Sequence, residues 1–163
     1  MINSLIKKDE SQKNYKLLEQ EVYKLFLNNC NIKEFFWATT QPLFQYPGAS
    51  TCLSQLCTLT INVQEVTSTA LFEMAQICQN IAELHIYKCN RNIPGLIKFI
   101  DIQKNLKSLK LRFESVEEQG VGKQCKELSN VIERKAATLK EISVIPNITF
   151  LSPKFLLSLV NLE

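Results

Sequence analysis

A short phrase, apolar-x-x-Leu-x-apolar, recurs along the chain, with Ile in place of Leu in one copy. Its copies begin at Val22, Leu56, Ile81, Leu106 and Leu139, and a sixth begins at Leu162 and is cut off by the last residue. Successive copies lie 34, 25, 25, 33 and 23 residues apart. A period near 25 residues with two longer units is typical of a solenoid, in which consecutive units stack on one another. Such proteins usually present binding surfaces rather than catalytic centres.

Each copy of the phrase predicts a short strand, and the residues after it predict a helix. Alternate side chains of a strand point to opposite faces, so Leu84 and Ile86 are expected inside and His85 outside. Apolar residues then return at helical spacing, for example over residues 66–78, with Thr67, Ser68 or Thr69 as the cap. Strand, turn and helix repeated at this period predict an α/β solenoid. We expect a curved parallel sheet on its concave side and helices on its convex side.

The same pattern predicts the organisation of the chain. Residues 1–21 are polar and read as a partly helical lead-in, and residues 22–163 read as five repeats plus the start of a sixth. Two segments interrupt the period. Residues 31–52 contain the only tryptophan and replace a simple helix, and residues 113–123 are polar and read as an exposed loop.

Composition narrows the class of partner. The net charge is only +3 over 163 residues, so we expect no nucleic acid. No stretch approaches the ~20 apolar residues of a membrane span, and the first residues do not form a secretory signal, so we expect no membrane partner. The six cysteines are expected to be reduced, in the cytoplasm or nucleus.

The residues offer little catalytic or metal chemistry. His85 is the only histidine, so catalysis by a Ser-His or Cys-His pair must use it. We expect it instead to be a solvent-facing strand residue. Cys30 and Cys89 each follow a strand and precede Asn, which suits a structural position, and no Cys-x-x-Cys pair suggests a metal site. Gly120-x-Gly-Lys123 lacks the spacing of a phosphate loop. The prediction is a protein that is not an enzyme and has no cofactor or metal.

Outward-facing strand residues are the better functional candidates. They combine polar side chains with Phe, Tyr and Arg, and Tyr and Arg are common anchors of protein interfaces. A protein substrate or target is therefore expected on the concave face. The predicted contact residues are Phe26, Asn28, Thr58, Thr60, Glu83, His85, Tyr87, Lys110, Arg112 and Glu141.

The phrase, extended to Leu-x-x-Leu-x-Leu-x-x-Cys/Asn, resembles the leucine-rich repeat in its cysteine-containing subtype. Residues 35–50, 72–78, 93–97 and 153–162 are similar to an expanded family of fungal F-box leucine-rich proteins. The resemblance implies that the repeats select a substrate for ubiquitylation. It also implies that an N-terminal F-box binds a Skp-type adaptor and, through it, a cullin.

One departure from that family leaves alternatives open. An F-box is a helical apolar segment longer than the 21 largely polar residues before the first phrase. Adaptor and cullin are therefore expected only if an F-box lies upstream, in which case this chain is a fragment. The favoured interpretation is the substrate-recognition part of an F-box type ubiquitin-ligase receptor. The alternatives are a leucine-rich interaction scaffold unrelated to ubiquitylation and a truncated, non-functional gene copy.

Overall fold

The structure, a computed structural model, describes residues 2–28, 31–89, 93–114, 125–146 and 151–159, with side chains from residue 12 onward. Helices and strands alternate along most of it. In chain order they are helix α1 (Ile2–Asn28), strand β1 (Glu34–Trp37), a 3₁₀ helix (Leu43–Gln45), α2 (Ala49–Leu53), β2 (Thr58–Asn62), α3 (Ser68–Ile77), β3 (Glu83–Tyr87), α4 (Pro94–Ile102), β4 (Ser108–Arg112), α5 (Lys126–Lys135), β5 (Glu141–Ile145) and a second 3₁₀ helix (Pro153–Ser158).

The strands form one five-stranded parallel sheet in the order β1-β2-β3-β4-β5. Equivalent positions of the phrase pair with each other: Leu59 lies opposite Leu84, and Leu84 lies opposite Leu109. The predicted strands at residues 58, 83, 108 and 141 are therefore confirmed, and the fold is α/β. Since every connection joins neighbouring parallel strands, each is a crossover, and each of the four contains an α-helix.

The phrase residues form the buried face of the sheet. Leu59, Leu84 and Leu109 are fully buried, as are Ile61 and Ile86 on the next row. The helices pack against one another in chain order, α3 on α4, α4 on α5, and α5 on the last 3₁₀ helix. This arrangement places the main apolar core between one layer of helices and one face of the sheet.

Two features join neighbouring units in the helix layer. The backbone N–H of Gly95, in the first turn of α4, donates to Ser68 Oγ at 2.9 Å. A Cβ at Gly95 would collide with the carbonyl oxygen of Ser68, so α3 and α4 approach closely only because this position is glycine. Thr67 Oγ1 accepts a hydrogen bond from the N–H of Ala70 at 3.1 Å, so Thr67 is the cap of α3 among the predicted candidates.

Gln103 connects the units from inside. It is buried after α4, and its Nε2 donates to the carbonyl oxygens of Cys78 at 2.8 Å and Phe99 at 3.0 Å. Its Oε1 accepts the N–H of Ile81 at 2.9 Å. One side chain therefore bonds three backbone groups, two of them in the preceding unit.

The first predicted strand is wrong. Residues 22–27 belong to α1, which continues to Asn28, so no strand begins at Val22. Leu27 is buried, whereas Val22 and Leu25 are 54% and 68% exposed. In a strand, Leu25 and Leu27 would share one face, so these exposures fit a helix. Residues 15–28 hold many strong helix formers and neither Gly nor Pro, so nothing ends the helix earlier.

The first strand lies instead in the irregular segment 31–52. Phe35 and Trp37 of β1 point into the core, and the Trp37 ring meets Phe44 edge-on with centroids 5.8 Å apart. Gly48 has a φ of +79°, and a Cβ there would lie 2.6 Å from the carbonyl oxygen of Leu27. Glycine at this position thus allows the turn before α2 to pack against the end of α1.

One cysteine prediction is also corrected. Cys52 is disulfide-bonded, so the expectation that all the cysteines are reduced does not hold. Cys57, Cys78, Cys89 and Cys125 are free thiols. Cys30, most of the predicted loop 113–123 and the sixth phrase at Leu162 lie outside the described residues.

Candidate functional site

The face of the sheet opposite the core carries three rows of side chains, which we call the open face. Its side chains are exposed or half-buried, except for Ser108. The strand register aligns them across the sheet. The first row is Glu34, Thr58, Glu83, Ser108 and Glu141; the second is Phe36, Thr60, His85, Lys110 and Ser143; the third is Asn62, Tyr87, Arg112 and Ile145.

The predicted contact residues divide between two places. Those of β2 to β5 share the open face: Thr58, Thr60, Glu83, His85, Tyr87, Lys110, Arg112 and Glu141. Phe26 and Asn28 do not join them, because they lie on α1 and not on a strand. Their assignment to the concave face followed from the wrong first strand and is corrected with it.

One charged side chain of β4, Lys110, is paired with Glu141 of β5. Glu141 accepts a hydrogen bond from Ser108 Oγ at 2.8 Å, and its carboxylate lies 3.4 Å from Lys110 Nζ. The Ser108 hydroxyl, and then Lys110, hold the pKa of Glu141 below its ordinary value. Both members of the ion pair are largely exposed, so the pair contributes little to stability. It does remove Lys110 as a free cation.

A concavity of about 820 Å³ lies where strands β2, β3 and β4 end. Third-row residues and the residues that follow them line it, together with Phe36 of β1. The lining residues are Phe36, Asn62, Tyr87, Lys88, Arg112, Phe113 and Glu114. In open sheets of parallel strands, ligands commonly bind near the carboxyl ends of the strands, as this position would allow.

The rim of the concavity is a hydrogen-bonded group of three side chains. Lys88 Nζ donates to Gln64 Oε1 at 2.9 Å, and Gln64 Nε2 donates to Glu114 Oε2 at 3.0 Å. Lys88 and Glu114 also form an ion pair at 3.5 Å. Lys88 has a φ of +61°, an uncommon left-handed conformation for a residue with a side chain. The group ties together the turns that follow β2, β3 and β4.

Arg112 differs from Lys110 on the open face and from Lys88 at the rim. Its guanidinium lies over the Tyr87 ring, 5.9 Å from the centroid, close enough for a cation–π contact. Among the described residues, no carboxylate forms an ion pair with it. Arg112 is exposed and positioned by an aromatic ring. Its N–H groups therefore remain available to an anionic group.

His85 is placed differently from its prediction. It lies in the centre of the second row but is half-buried, and its Nε2 is shielded from solvent. Within the described part of the chain, that atom has no hydrogen-bond partner, and hence no hydroxyl or thiol is bonded to it. At Nε2, the described residues therefore supply no nucleophile–base contact of the kind a Ser-His or Cys-His centre uses.

The buried cysteines belong to the core. Burial raises the pKa of Cys78 and of Cys89 to about 12, and it raises that of Cys125 as well. Cys78 Sγ lies 2.8 Å from the carbonyl oxygen of Leu53, which it can reach as a donor. Thiols with such pKa values are poor nucleophiles and poor ligands at neutral pH. No group of three or more His, Cys, Asp and Glu residues suited to a metal ion occurs among the described residues.

Several site residues escaped the sequence-based prediction. Phe36 was missed because the strand before β2 was placed at residue 22, although three aromatic residues in succession, Phe35-Phe-Trp, favour a strand. Gln64, Lys88 and Glu114 follow strands, and strand periodicity says nothing about turn residues. Their mutual contacts link residues up to 50 positions apart, which no local pattern reveals.

A second exposed surface lies on α1. An apolar stripe with helical spacing runs along it, formed by Tyr15, Leu18, Val22, Leu25 and Phe26. With Phe35 it borders a groove of about 420 Å³. The neighbouring side of α1 is tied to the body, where Thr39 Oγ1 donates to Glu19 at 2.8 Å and Gln41 Nε2 donates to Glu19 at 3.2 Å. The stripe is almost entirely apolar, unlike the open face.

Comparison with known proteins gave no relative: no family model, no curated protein and no solved structure matched this chain significantly. Within the described residues, no helix has both the length and the apolar character needed to cross a membrane.

Proposed function

We propose that this chain is a leucine-rich repeat module that binds a protein through the open face. We further propose that it is the substrate-recognition part of an F-box type ubiquitin-ligase receptor. The observation that carries the first proposal is the contrast across the sheet. One face consists mainly of buried apolar side chains. The other presents polar and aromatic side chains, including Arg112, which forms no ion pair within the described part of the chain.

A repeated hydrogen bond supports the repeat architecture. The residue before each strand from β2 to β5 donates its N–H to the equivalent carbonyl of the preceding unit. The four bonds are Cys57 to Lys33, Ala82 to Cys57, Lys107 to Ala82 and Lys140 to Lys107, at 2.8–2.9 Å. Identical bonds at equivalent positions are what a stack of repeated units requires.

The curvature of the proposed solenoid has a geometric basis. Neighbouring strands lie about 4.8 Å apart, whereas packed helices lie about 8–10 Å apart. A stack with one strand and one helix per unit must therefore bend toward its strands. The open face is then the concave side, where a partner meets side chains from several strands at once.

The receptor form of the proposal rests on the resemblance to fungal F-box leucine-rich proteins. Under it, the chain itself performs no chemistry. It holds a protein substrate while an F-box upstream recruits a Skp-type adaptor and a cullin, in the cytoplasm or nucleus. An interaction scaffold unrelated to ubiquitylation would use the same open face without those partners.

Two measurements test these proposals separately. Tagged full-length protein should co-purify with the adaptor and cullin, and their absence while another partner is retained would favour the scaffold. Binding through the open face is tested with Thr60→Arg, which places a large side chain in its centre. Glu133→Arg, on the exposed side of α5, is the control. Thr60→Arg should remove the partner and Glu133→Arg should not. Equal retention by both would contradict binding at the open face.

A further inference from the structure

Resting on the proposed open-face binding, we propose that the concavity at the ends of β2, β3 and β4 receives a peptide segment of the partner. That segment carries an aspartate or glutamate whose carboxylate pairs with Arg112, together with apolar side chains for the aromatic residues around it. The inference names the chemistry of the partner, which the proposed function leaves open.

The charges around the concavity point to one anionic group. Lys88 and Glu114 compensate each other at the rim, 3.5 Å apart, and Gln64 bridges them. Lys110 on the neighbouring row is paired with Glu141. Arg112 is the remaining cation among the described residues that line the concavity, and these residues together carry a net charge of one positive unit. A ligand with one negative charge complements it.

The geometry of Arg112 favours a carboxylate. The guanidinium has a planar fork of N–H groups that matches the two oxygens of a carboxylate. The Arg112 Cζ lies over the Tyr87 ring, 5.9 Å from its centroid, and the exposed side chain leaves N–H groups accessible to a ligand. A phosphate dianion would exceed the available positive charge by one and would approach Glu114, which also lines the concavity. A single carboxylate leaves no such excess.

Exposed apolar side chains flank the charged position. Phe36 is 59% exposed and Ile145 is 51% exposed, and Tyr87 lies between them on the sheet. Phe36 and Arg112 are three strands apart and in adjacent rows, so about 15 Å separates them. An extended peptide spans that distance with about four to five residues. The expected motif has an acidic residue beside one apolar residue and a second apolar residue four or five positions away.

A random-peptide display library selected against the purified full chain tests the inference. The wild type should enrich peptides with the acidic-apolar motif. Arg112→Glu should lower the affinity for these peptides by at least about tenfold, because a charge-assisted hydrogen bond is lost and a charge repulsion is added. The same variant should enrich Lys or Arg at the acidic position. Lys98→Glu makes the same charge reversal at an exposed position of α4 and should leave the selected peptides unchanged. Thermal unfolding of each variant checks that it is folded.

The outcomes separate this inference from the proposed function. If Thr60→Arg abolishes binding of the enriched peptides but Arg112→Glu leaves their affinity unchanged, the carboxylate assignment is overturned and the open face remains a binding site. Peptides insensitive to Thr60→Arg, or no enrichment, would contradict the proposed function itself. An enriched peptide whose acidic residue is replaced by phosphoserine should bind no more tightly. A tenfold gain would overturn the preference for a single carboxylate.

Discussion

The two faces of the sheet share the same strands but use their side chains differently. On the covered face, the three central strands repeat Leu at one position, and Leu59, Leu84 and Leu109 are fully buried; Phe35 and Ile142 hold that position on the edge strands. On the open face, the equivalent row reads Phe36, Thr60, His85, Lys110 and Ser143, without repetition. Uniform side chains keep the units in register, while the varied row is free to match a partner. Alternation along each strand separates the two requirements.

The sharpest test of this separation is a pair of variants at neighbouring positions of β4. Leu109→Ala removes a fully buried side chain and should lower the free energy of unfolding by about 2–5 kcal/mol. Lys110→Ala, on the open face, should change it by less than about 0.5 kcal/mol. Chemical denaturation of both proteins gives the comparison. Similar losses would show that the two faces are not divided as described.

A buried polar side chain should come next in effect. Gln103→Ala leaves the N–H of Ile81 and the carbonyls of Cys78 and Phe99 without their partner, at a cost of about 1–3 kcal/mol. Gln103→Glu keeps the shape but cannot donate to the carbonyls while ionised, so it should also destabilise. Lys104→Ala, exposed beside it, is the control. A neutral Gln103→Ala in denaturant titration would contradict the bridging role.

The smallest expected effect concerns Glu141. Its pKa is lowered in the folded state, chiefly by the Ser108 hydroxyl, so the associated stability is present above the unfolded-state pKa. It is lost as the pH falls through the lower folded-state value. Ser108→Ala should raise the pKa of Glu141 toward its ordinary value, which an NMR titration of the side-chain carboxyl would report. An unchanged pKa would exclude this hydrogen bond in solution.

The sequence predicted the regular part of the fold because each later phrase was followed by a turn and a helix. Its failure at residue 22 has a physical cause. Val22, Leu25 and Leu27 fit the phrase, but their surroundings are helix formers without a turn residue, and local propensity prevailed. Helix α1 ends at Asn28, and β1 begins at Glu34. A phrase of apolar spacings alone does not distinguish a strand from an exposed stretch of helix.

In the site, the strand residues were predictable from the sequence and the turn residues were not. Tyr87 and Arg112 were predicted because alternation places them opposite the buried residues of their strands. The partnership of Lys88, Gln64 and Glu114 was not, since it depends on how three separate turns meet. That partnership leaves Arg112 as the one cation without an ion-pair partner among the described residues that line the concavity. The charge of the site therefore came from tertiary contacts, whereas its location came from strand periodicity.

The central claim is that a protein partner contacts the open face and not the helix layer. Site-specific photo-crosslinking tests it most directly, with a photoreactive amino acid placed singly at Phe36, Tyr87, Lys98 or Glu133 of the full-length protein in cells. Phe36 and Tyr87 lie on the open face, and Lys98 and Glu133 are exposed on the helices. The account predicts one common adduct from the first pair, lost on Arg112→Glu, and none from the second pair. The same adduct from Lys98 or Glu133, with none from Tyr87, would contradict it.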